Sequence, residues 1–196
     1  MKYAHLLIAL LLGFSTHAQT EDKEKLSFPE FGWSIPIPEN FERVDEKEWT
    51  KMQGRGRDMI EDTYGEEVIN HAKTLFVYTS GQMNYLEANY QPYDASLYES
   101  YEASCRDLYA VLHETFTVQM PGVNIDTLIT TEQIDDVEFM KFDINIQYSP
   151  ELSLRVLMYN HLFDDKDFTV NIMYVEESKG QQMLEAWRKS RFKERK

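Results

Sequence analysis

Alternating apolar and polar residues dominate the second half of the chain, and this pattern indicates half-buried β-strands. Apolar side chains take every second position in the segments 140–146, 152–158 and 168–174. A further strand is predicted at 125–134, and Asp-Asp and Ser-Pro pairs mark the turns between these strands. Such alternation in consecutive strands predicts an antiparallel sheet with one well-buried face. Leu157 and Met173 on the other face indicate that it is partly covered too.

Three shorter strands are predicted in the first half. The segments 74–79 and 85–90 lie on either side of a turn at Gly81. The segment 33–38 also alternates, but its two prolines cannot donate ladder hydrogen bonds. It is therefore expected at a sheet edge or at the end of a strand.

The first predicted helix covers residues 45–64 and ends at Gly65. Its apolar side chains recur at helical spacing at Trp49, Met52, Met59 and Ile60. Gly54 and Gly56 oppose this prediction, because each glycine costs a helix about 1 kcal/mol relative to alanine.

Two further helices are each predicted to begin at a capping box, in which a serine hydroxyl and a Glu or Gln side chain bond backbone amides. Ser96 and Glu99 form one box, and Ser178 and Gln181 form the other. The longer helix carries a core-type stripe of Tyr101, Cys105, Leu108, Leu112 and Phe116, and ends at Pro121-Gly122. The C-terminal helix is expected to dock on the sheet through a stripe of Met183, Leu184, Trp187 and Arg191.

Residues 1–18 have the pattern of a cleaved signal peptide, with Lys2, an apolar run at 6–14 and small residues before Gln19. The run is shorter than the roughly 20 residues that span a bilayer. A membrane anchor or a buried N-terminal helix is the alternative. No cysteine follows the cleavage point, so the prediction is a soluble exported protein, periplasmic or secreted, and not a lipoprotein.

The remaining chain is predicted to form one domain, because no repeat, linker or low-complexity segment divides it. Residues 19–27 are polar and charged and are predicted to be a flexible leader. Residues 28–192 form the single globular domain, and 193–196 form a basic tail. A chain of this length can bury about 70% of its unfolded surface in one core, without disulfide or metal.

Charge narrows the classes of function. The 196 residues include 34 acidic and 20 basic side chains, for a net charge of -14. A nucleic-acid-binding surface is basic, so this balance argues against one. The one cysteine, Cys105, cannot form an internal disulfide.

The order of these elements, and the segment 35–41 (IPIPENF) that leads into the first helix, resemble a known fold. It is the fold shared by the PsbP extrinsic subunits of photosystem II, the yeast Ran-binding Mog proteins and exported bacterial proteins of unassigned function. The resemblance covers about 28–192. It implies an α/β (α+β) domain in which an antiparallel sheet of about six or seven strands packs with three helices as an α/β/α sandwich. It also implies a binding or assembly subunit rather than an enzyme, and it supplies no catalytic residue.

Candidate catalytic residues are few. His71, His113 and His161 lie more than 40 residues apart, and none has a second ligand at metal-binding spacing. Cys105 lies on a core stripe beside Arg106, which points elsewhere on a helix, so a buried inert thiol is expected rather than a nucleophile. The segment 54–57 (GRGR) is the nearest approach to a phosphate-binding loop, but it lacks the preceding strand and the Lys-Ser/Thr pair. A surface turn or a loosened helix is expected there, and no catalytic residue, metal site or cofactor is predicted.

Three local features carry both a functional and a structural interpretation. The acidic segment 164–167 offers oxygen ligands for calcium, although a solvated turn is expected because it lacks the features of an EF-hand. Six tyrosines between 78 and 101 suggest a contact surface or half-buried sheet packing; they are Tyr78, Tyr85, Tyr90, Tyr93, Tyr98 and Tyr101. The segment 188–196 has six basic residues and one acid. This charge suits a helix C-terminus, a contact with an anionic partner or membrane surface, or folding back onto the acidic body.

The sequence thus favours an exported, non-catalytic binding or assembly module with an unknown protein partner. The alternative is a periplasmic carrier of a small apolar ligand, since Met and aromatic residues could line an apolar pocket. A less favoured third is an unrecognised enzyme, which needs a histidine gathered with carboxylates in one site. No ligand-binding residue is assigned.

Overall fold

The computed structural model describes residues 24–193. The predicted signal peptide, most of the predicted leader and the last three residues of the predicted tail lie outside the described residues. The described α-helices are α1 (Glu46–Tyr64), α2 (Tyr101–Gln119) and α3 (Glu177–Arg188). The described strands are β1 (Lys25–Phe28), β2 (Trp33–Pro36), β3 (Glu42–Arg43), β4 (Lys73–Thr79), β5 (Tyr85–Pro92), β6 (Asn124–Ile134), β7 (Val137–Ser149), β8 (Leu152–Phe163), β9 (Lys166–Tyr174) and β10 (Arg191–Phe192).

Seven of these strands form one antiparallel sheet, in the order β3-β4-β5-β9-β8-β7-β6. A small antiparallel sheet has the order β1-β2-β10. Pro36 ends β2, as its missing donor predicts. Lys25 to Ser27 belong to the predicted leader but lie in β1, because Leu26 pairs with Ile35 and packs on the core.

Helices cover both faces of the large sheet, which confirms the predicted α/β/α sandwich. On one face α3 and the small sheet enclose an aromatic core that includes Trp33, Phe168 and Trp187. On the other face α2 packs through Cys105 and Tyr109 against β7 and β8. Helix α1 lies beside α2 on this second face.

The alternating strands do not bury one common face, because their apolar positions change sides between β8 and β9. The alternating apolar residues of β7 and β8 face α2, with Ile144 paired to Val156. Those of β9 face α3, with Ile172 paired to Leu157. Consequently β5 and β9 turn their polar residues toward α1 and α2.

The start of α2 differs from the prediction. Ser96 lies in a separate 3-10 turn, where its amide and hydroxyl both donate to the Asp94 carboxylate, at 2.9 and 2.7 Å. Because that hydroxyl is engaged, the cap is Ser100, whose hydroxyl accepts from the Ala103 amide at 3.1 Å. The Ser96–Glu99 capping box is therefore wrong.

The start of α3 also differs from the prediction. The helix begins at Glu177, after Glu176, with no side-chain cap. Ser178 lies inside the helix, so the Ser178–Gln181 box is wrong too. Gln181 instead donates to the Glu177 carboxylate at 2.7 Å.

Helix α1 forms where its apolar spacing predicts. Asp45 caps it by accepting from the Lys47 and Glu48 amides, and Gly65 ends it with a φ of 70°. The helix runs through Gly54 and Gly56, yet it has no fully buried residue. Within residues 24–193, no helix is long and apolar enough to cross a bilayer.

Candidate functional site

A cavity of about 470 Å³ lies between α1, α2 and the large sheet. Its walls are mainly apolar, and one end of its floor is polar. The apolar lining comprises Trp49, Ile60, Val68, Ile69, Ala72, Leu112, Phe116, Ile144, Val156, Met158 and Met173. The polar lining comprises Gln53, Arg57, Asn70, Tyr85, Glu87, Asn89, Gln91 and Asn171, and Gly56 completes it. Among these residues Ile69 is 70% exposed and therefore marks the rim of the cavity.

The position of α1 leaves this space open. Near its start, the Trp49 indole donates to the Thr74 hydroxyl at 3.2 Å. Near its end, the Tyr64 hydroxyl donates to the Glu114 carboxylate of α2 at 2.7 Å. Between these anchors, a Cβ atom added at Gly54 or Gly56 would meet nothing within 4 Å. The middle of α1 therefore spans the sheet without packing on it.

Glu87 is the central polar residue of the floor. It lies on β5 opposite Asn171 of β9, and it is 2% exposed. Its carboxylate oxygens accept from the Asn89 side-chain amide at 2.8 and 3.0 Å. One of them also accepts from the Asn171 amide at 2.6 Å. Two asparagines thus fix the direction of this carboxylate.

Burial sets the acidity of this group. It raises the pKa of Glu87 to about 7, against the opposing effect of the hydrogen bonds from Asn171 and Asn89. No ion pair of residues 24–193 involves Glu87. A buried carboxyl without a cation changes its charge near neutral pH.

Asn171 adds a second polar feature. Its amide nitrogen is bound to Glu87, whereas its side-chain oxygen is buried and finds no hydrogen-bond partner in the described part of the chain. A buried acceptor without a donor costs about 1–3 kcal/mol. This oxygen is enclosed by the surrounding protein atoms rather than open to the cavity.

A polar network continues along the same sheet face. The Asp167 carboxylate accepts from Tyr101 of α2 at 2.6 Å and from Gln91 at 3.1 Å. The Tyr109 hydroxyl donates to Asn160 at 2.9 Å, and Asn160 donates to Thr169 at 2.8 Å. These bonds join α2 to the sheet.

The three histidines do not meet in this cavity. His71 is exposed and lines a separate cleft of about 530 Å³ with Tyr93, Tyr98 and Cys105. His113 is exposed, and the His161 ring nitrogen Nδ1 lies 2.7 Å from the Glu138 carbonyl oxygen. Among residues 24–193, no group of three or more His, Cys, Asp or Glu side chains is arranged to hold a metal ion.

Cys105 is buried, as its place on the α2 stripe predicts. Burial raises the pKa of its thiol to about 12. A thiol in this state is protonated at neutral pH and is a poor nucleophile.

The segment 54–57 is part of α1 rather than a phosphate-binding loop, which matches the loosened helix of the prediction. Arg57 lies on the cavity rim. Its guanidinium is 3.3 Å from an Asp58 carboxylate oxygen and 3.5 Å from that of Glu61.

The acidic segment 164–167 is divided by its own contacts. Asp167 is buried against Tyr101 and Gln91, whereas Asp165 is exposed and lies 3.4 Å from the Lys166 ammonium. Lys166 also lies 3.5 Å from Glu30. Within the described residues, the carboxylates of this segment therefore do not form the shared cluster that the calcium interpretation requires.

The six tyrosines do not form one surface. Tyr78 and Tyr90 pack on the α3 side of the sheet, whereas Tyr85 lines the cavity. The rings of Tyr93 and Tyr98 are stacked 5.9 Å apart, and Tyr101 lies edge-on to Tyr93 at 5.4 Å. The local packing alternative fits this division.

The described basic residues near the C-terminus fold back onto the acidic body, one of the three predicted alternatives. Arg188 lies 2.8 Å from Glu132, and Arg191 lies 3.8 Å from Asp135. The Phe192 amide also donates to Asp135 at 2.9 Å.

Glu87 and Asn171 are the residues that the sequence reasoning did not identify. Each sits at a polar position of an alternating strand, which the pattern assigns to solvent. The one signal in the sequence is indirect: glycines at 54 and 56 in a helix predict weak packing over whatever lies beneath it.

Comparison with known proteins gives a likeness in fold. No protein-family model matches the sequence, and a search of curated proteins gives no match. Among solved structures, the chain is similar to the solution structure of cyanobacterial PsbP (CyanoP) from Synechocystis sp. PCC 6803, with a TM-score of 0.53 and 10% identity. The alignment covers 93% of this chain and 99% of that one. This likeness shows that the chain has a PsbP-like fold.

Proposed function

We propose that this protein binds a small amphipathic molecule in the cavity between α1, α2 and the large sheet. The observation that carries the proposal is a buried carboxyl, Glu87, on the floor of a mainly apolar cavity of about 470 Å³. Small organic ligands occupy pockets of about 300–1,000 Å³ that combine apolar walls with a few placed polar groups. The cavity has both features.

A binding role suits the lining better than a catalytic one. A carboxyl whose pKa lies near 7 can act as a general acid or base. However, the described cavity lining includes no Ser, Cys, His or Lys that could serve as a nucleophile or second catalyst. Glu87 is instead held by two asparagines, which orient it for recognition.

The test compares two matched glycine substitutions in α1. Gly56 lines the cavity and Gly54 does not, and both have free space around a Cβ atom. Gly56→Leu should fill the cavity and weaken binding of the apolar fluorescent probe N-phenylnaphthylamine at least about tenfold. Gly54→Leu, the control, should bind like the original chain. Equal binding by both variants and the original chain would exclude this cavity as the binding site.

A second candidate function is protein assembly through β6, the outermost strand of the large sheet. No strand of residues 24–193 pairs with its outer edge, and Leu128 and Ile129 are 60% and 37% exposed. Proteins usually protect such edges, and a free edge can accept an added strand from a partner. This candidate keeps the assembly role that the sequence favours.

Site-specific photocrosslinking tests the β6 candidate. A photoreactive residue at Leu128 should give one defined adduct in the producing cell. The same residue at Leu97, which is 71% exposed but lies in a 3-10 turn, should not. Identical adducts from both positions would count against partner binding at β6.

We also propose that residues 1–18 direct export. The support is the pattern of charge, apolar run and small residues before Gln19. Intact mass of the protein recovered from the periplasm or medium should correspond to a chain that starts at Gln19. A full-length mass with Met1 retained would contradict it.

A further inference from the structure

We infer that the ligand is an amphipathic amine, whose ammonium group is held by the Glu87 carboxylate. This inference rests on the proposed binding function. It adds the chemistry of the ligand's head group, which the cavity volume alone does not give.

Hydrogen-bond capacity at the floor favours a donor. A carboxylate offers about four acceptor positions. Three contacts from Asn89 and Asn171 reach Glu87, and two of them end on the same oxygen, so the other oxygen has room for a further donor. An ammonium group carries three donors and no acceptor, which fits this surplus.

Charge favours a cation. Burial of an ionised carboxylate is costly unless an opposite charge accompanies it. Arg57 is the basic side chain of the described cavity lining, and its side chain is 47% exposed and already lies close to Asp58 and Glu61. The charge of Arg57 is therefore balanced at the rim, whereas the charge of Glu87 awaits a partner from the ligand.

The opposite wall sets the body of the ligand. Leu112 and Phe116 of α2, packed with Ile144, Val156 and Met158 of the sheet, line this part of the cavity. These side chains offer no hydrogen bonds, so they suit an alkyl chain or an aromatic group. An amine with such a body satisfies both ends of the cavity.

The direction of pH dependence separates an amine from other head groups. Ammonium binding needs ionised Glu87, whose burial raises its pKa to about 7, so amine affinity should rise with pH through about 7. A carboxylic acid ligand would give the opposite slope, since it needs protonated Glu87. The other ionisable lining residues are Arg57 and Tyr85. Helix α2 and strands β7 to β9 contribute no ionisable group to the lining.

The experiment measures displacement of N-phenylnaphthylamine from the full-length chain by three ligands of equal chain length: decylamine, decanol and decanoate. Decylamine should displace the probe at a concentration at least about tenfold lower than decanol. Glu87→Gln should weaken decylamine about 10- to 100-fold, as expected for a charge-assisted hydrogen bond, and should abolish its pH dependence. Decanol should change little.

Asp167→Asn is the matched control, because Asp167 is a buried carboxyl on the same sheet face that does not line the cavity. It should keep the preference for decylamine. If Glu87→Gln fails to unfold cooperatively, Asn171→Ala takes its place, since it removes the hydrogen bond that orients the Glu87 carboxylate and should also weaken decylamine selectively.

The outcomes separate this inference from the proposed function. Equal displacement by the three ligands, or strongest displacement by decanoate, would overturn the amine inference while the cavity remains a binding site. Displacement of the probe by none of the three would overturn it as well. A probe that does not bind, or binds equally to Gly56→Leu, would remove both proposals.

Discussion

The two faces of the large sheet are built for different purposes. Against the α3 face, the rings of Trp33, Phe168 and Trp187 are at most 1% exposed, and Trp33 and Phe168 pack 4.9 Å apart. Against the other face, α1 buries none of its nineteen residues completely and spans an open cavity. The α3 face is closely packed, whereas the part of the other face beneath α1 keeps open space and the Glu87 carboxyl.

The difference begins with β5 and β9, which direct apolar side chains to one face and polar ones to the other. Leu86 and Ile172 are paired and fully buried under the α3 side. The next pair along, Glu87 and Asn171, faces α1. The helices match this division, since α3 has five buried residues and lies on the side that receives the apolar residues of β5 and β9.

The largest expected effect tests the tighter face. Phe168→Ala should lower the free energy of unfolding by about 3–5 kcal/mol, because it empties a fully buried aromatic site. Ile60→Ala removes a partly buried side chain of the cavity wall and should cost about 1 kcal/mol or less. Urea denaturation of both variants measures the difference. Similar costs would mean that the two faces are packed alike.

The second effect tests the carboxyl on the looser face. The pKa of Glu87 is raised from 4.5 to about 7 in the folded chain, so the folded state holds its proton more tightly than the unfolded state. Protonated Glu87 makes its full contribution to the free energy of unfolding below about pH 4.5. This contribution is lost as the pH rises to about 7, which lowers the free energy of unfolding by about 3 kcal/mol. Glu87→Gln removes this loss.

Unfolding free energies measured from about pH 4.5 to about pH 8 give the test of this linkage. The variant should match the original chain at the acid end and exceed it by about 3 kcal/mol at the alkaline end. Parallel curves would contradict the burial of Glu87 away from any cation. The two faces would then differ in packing but not in electrostatics.

Much of the fold follows from the sequence, because strands and helix stripes are local patterns. The alternation in 140–146 and 168–174 predicts both strands correctly. It does not reveal that the two apolar rows face opposite sides, since that depends on the pairing register of β8 with β9. The Ser96–Glu99 capping box fails because the Ser96 hydroxyl bonds Asp94 instead, and the Ser178–Gln181 box fails because Ser178 lies inside α3.

The site was beyond the reach of these patterns. Glu87 reads as a solvent-facing residue of an alternating strand, and only a helix more than twenty residues earlier in the chain covers it. Burial beneath that helix raises the pKa of Glu87, and hydrogen bonds from two asparagines, one of them on β9, oppose this rise. Local periodicity carries no information about such distant neighbours.

A glycine of α3 gives the third effect. A Cβ atom at Gly180 would lie 2.6 Å from three ring atoms of Tyr174, which is too close for any real contact. Gly180→Ala should therefore destabilise the chain by about 1–3 kcal/mol, despite alanine's better helix propensity. A stabilised variant in thermal or urea unfolding would show that α3 does not sit tightly on the sheet.

The glycines of α1 should give the smallest effect, with the opposite sign. Gly54 and Gly56 have negative φ values within the helix and no atom within 4 Å of an added Cβ. Alanine at either position should stabilise the chain by about 0.5–1 kcal/mol, through helix propensity alone. Urea denaturation of Gly54→Ala, Gly56→Ala and Gly180→Ala then compares the same substitution on the two faces. If alanine is destabilising in α1 as well, the helix packs closely on the sheet in solution, and no space remains for a ligand. If alanine in α1 stabilises the chain while Gly180→Ala destabilises it, then α1 is held away from the sheet and α3 is packed closely on it.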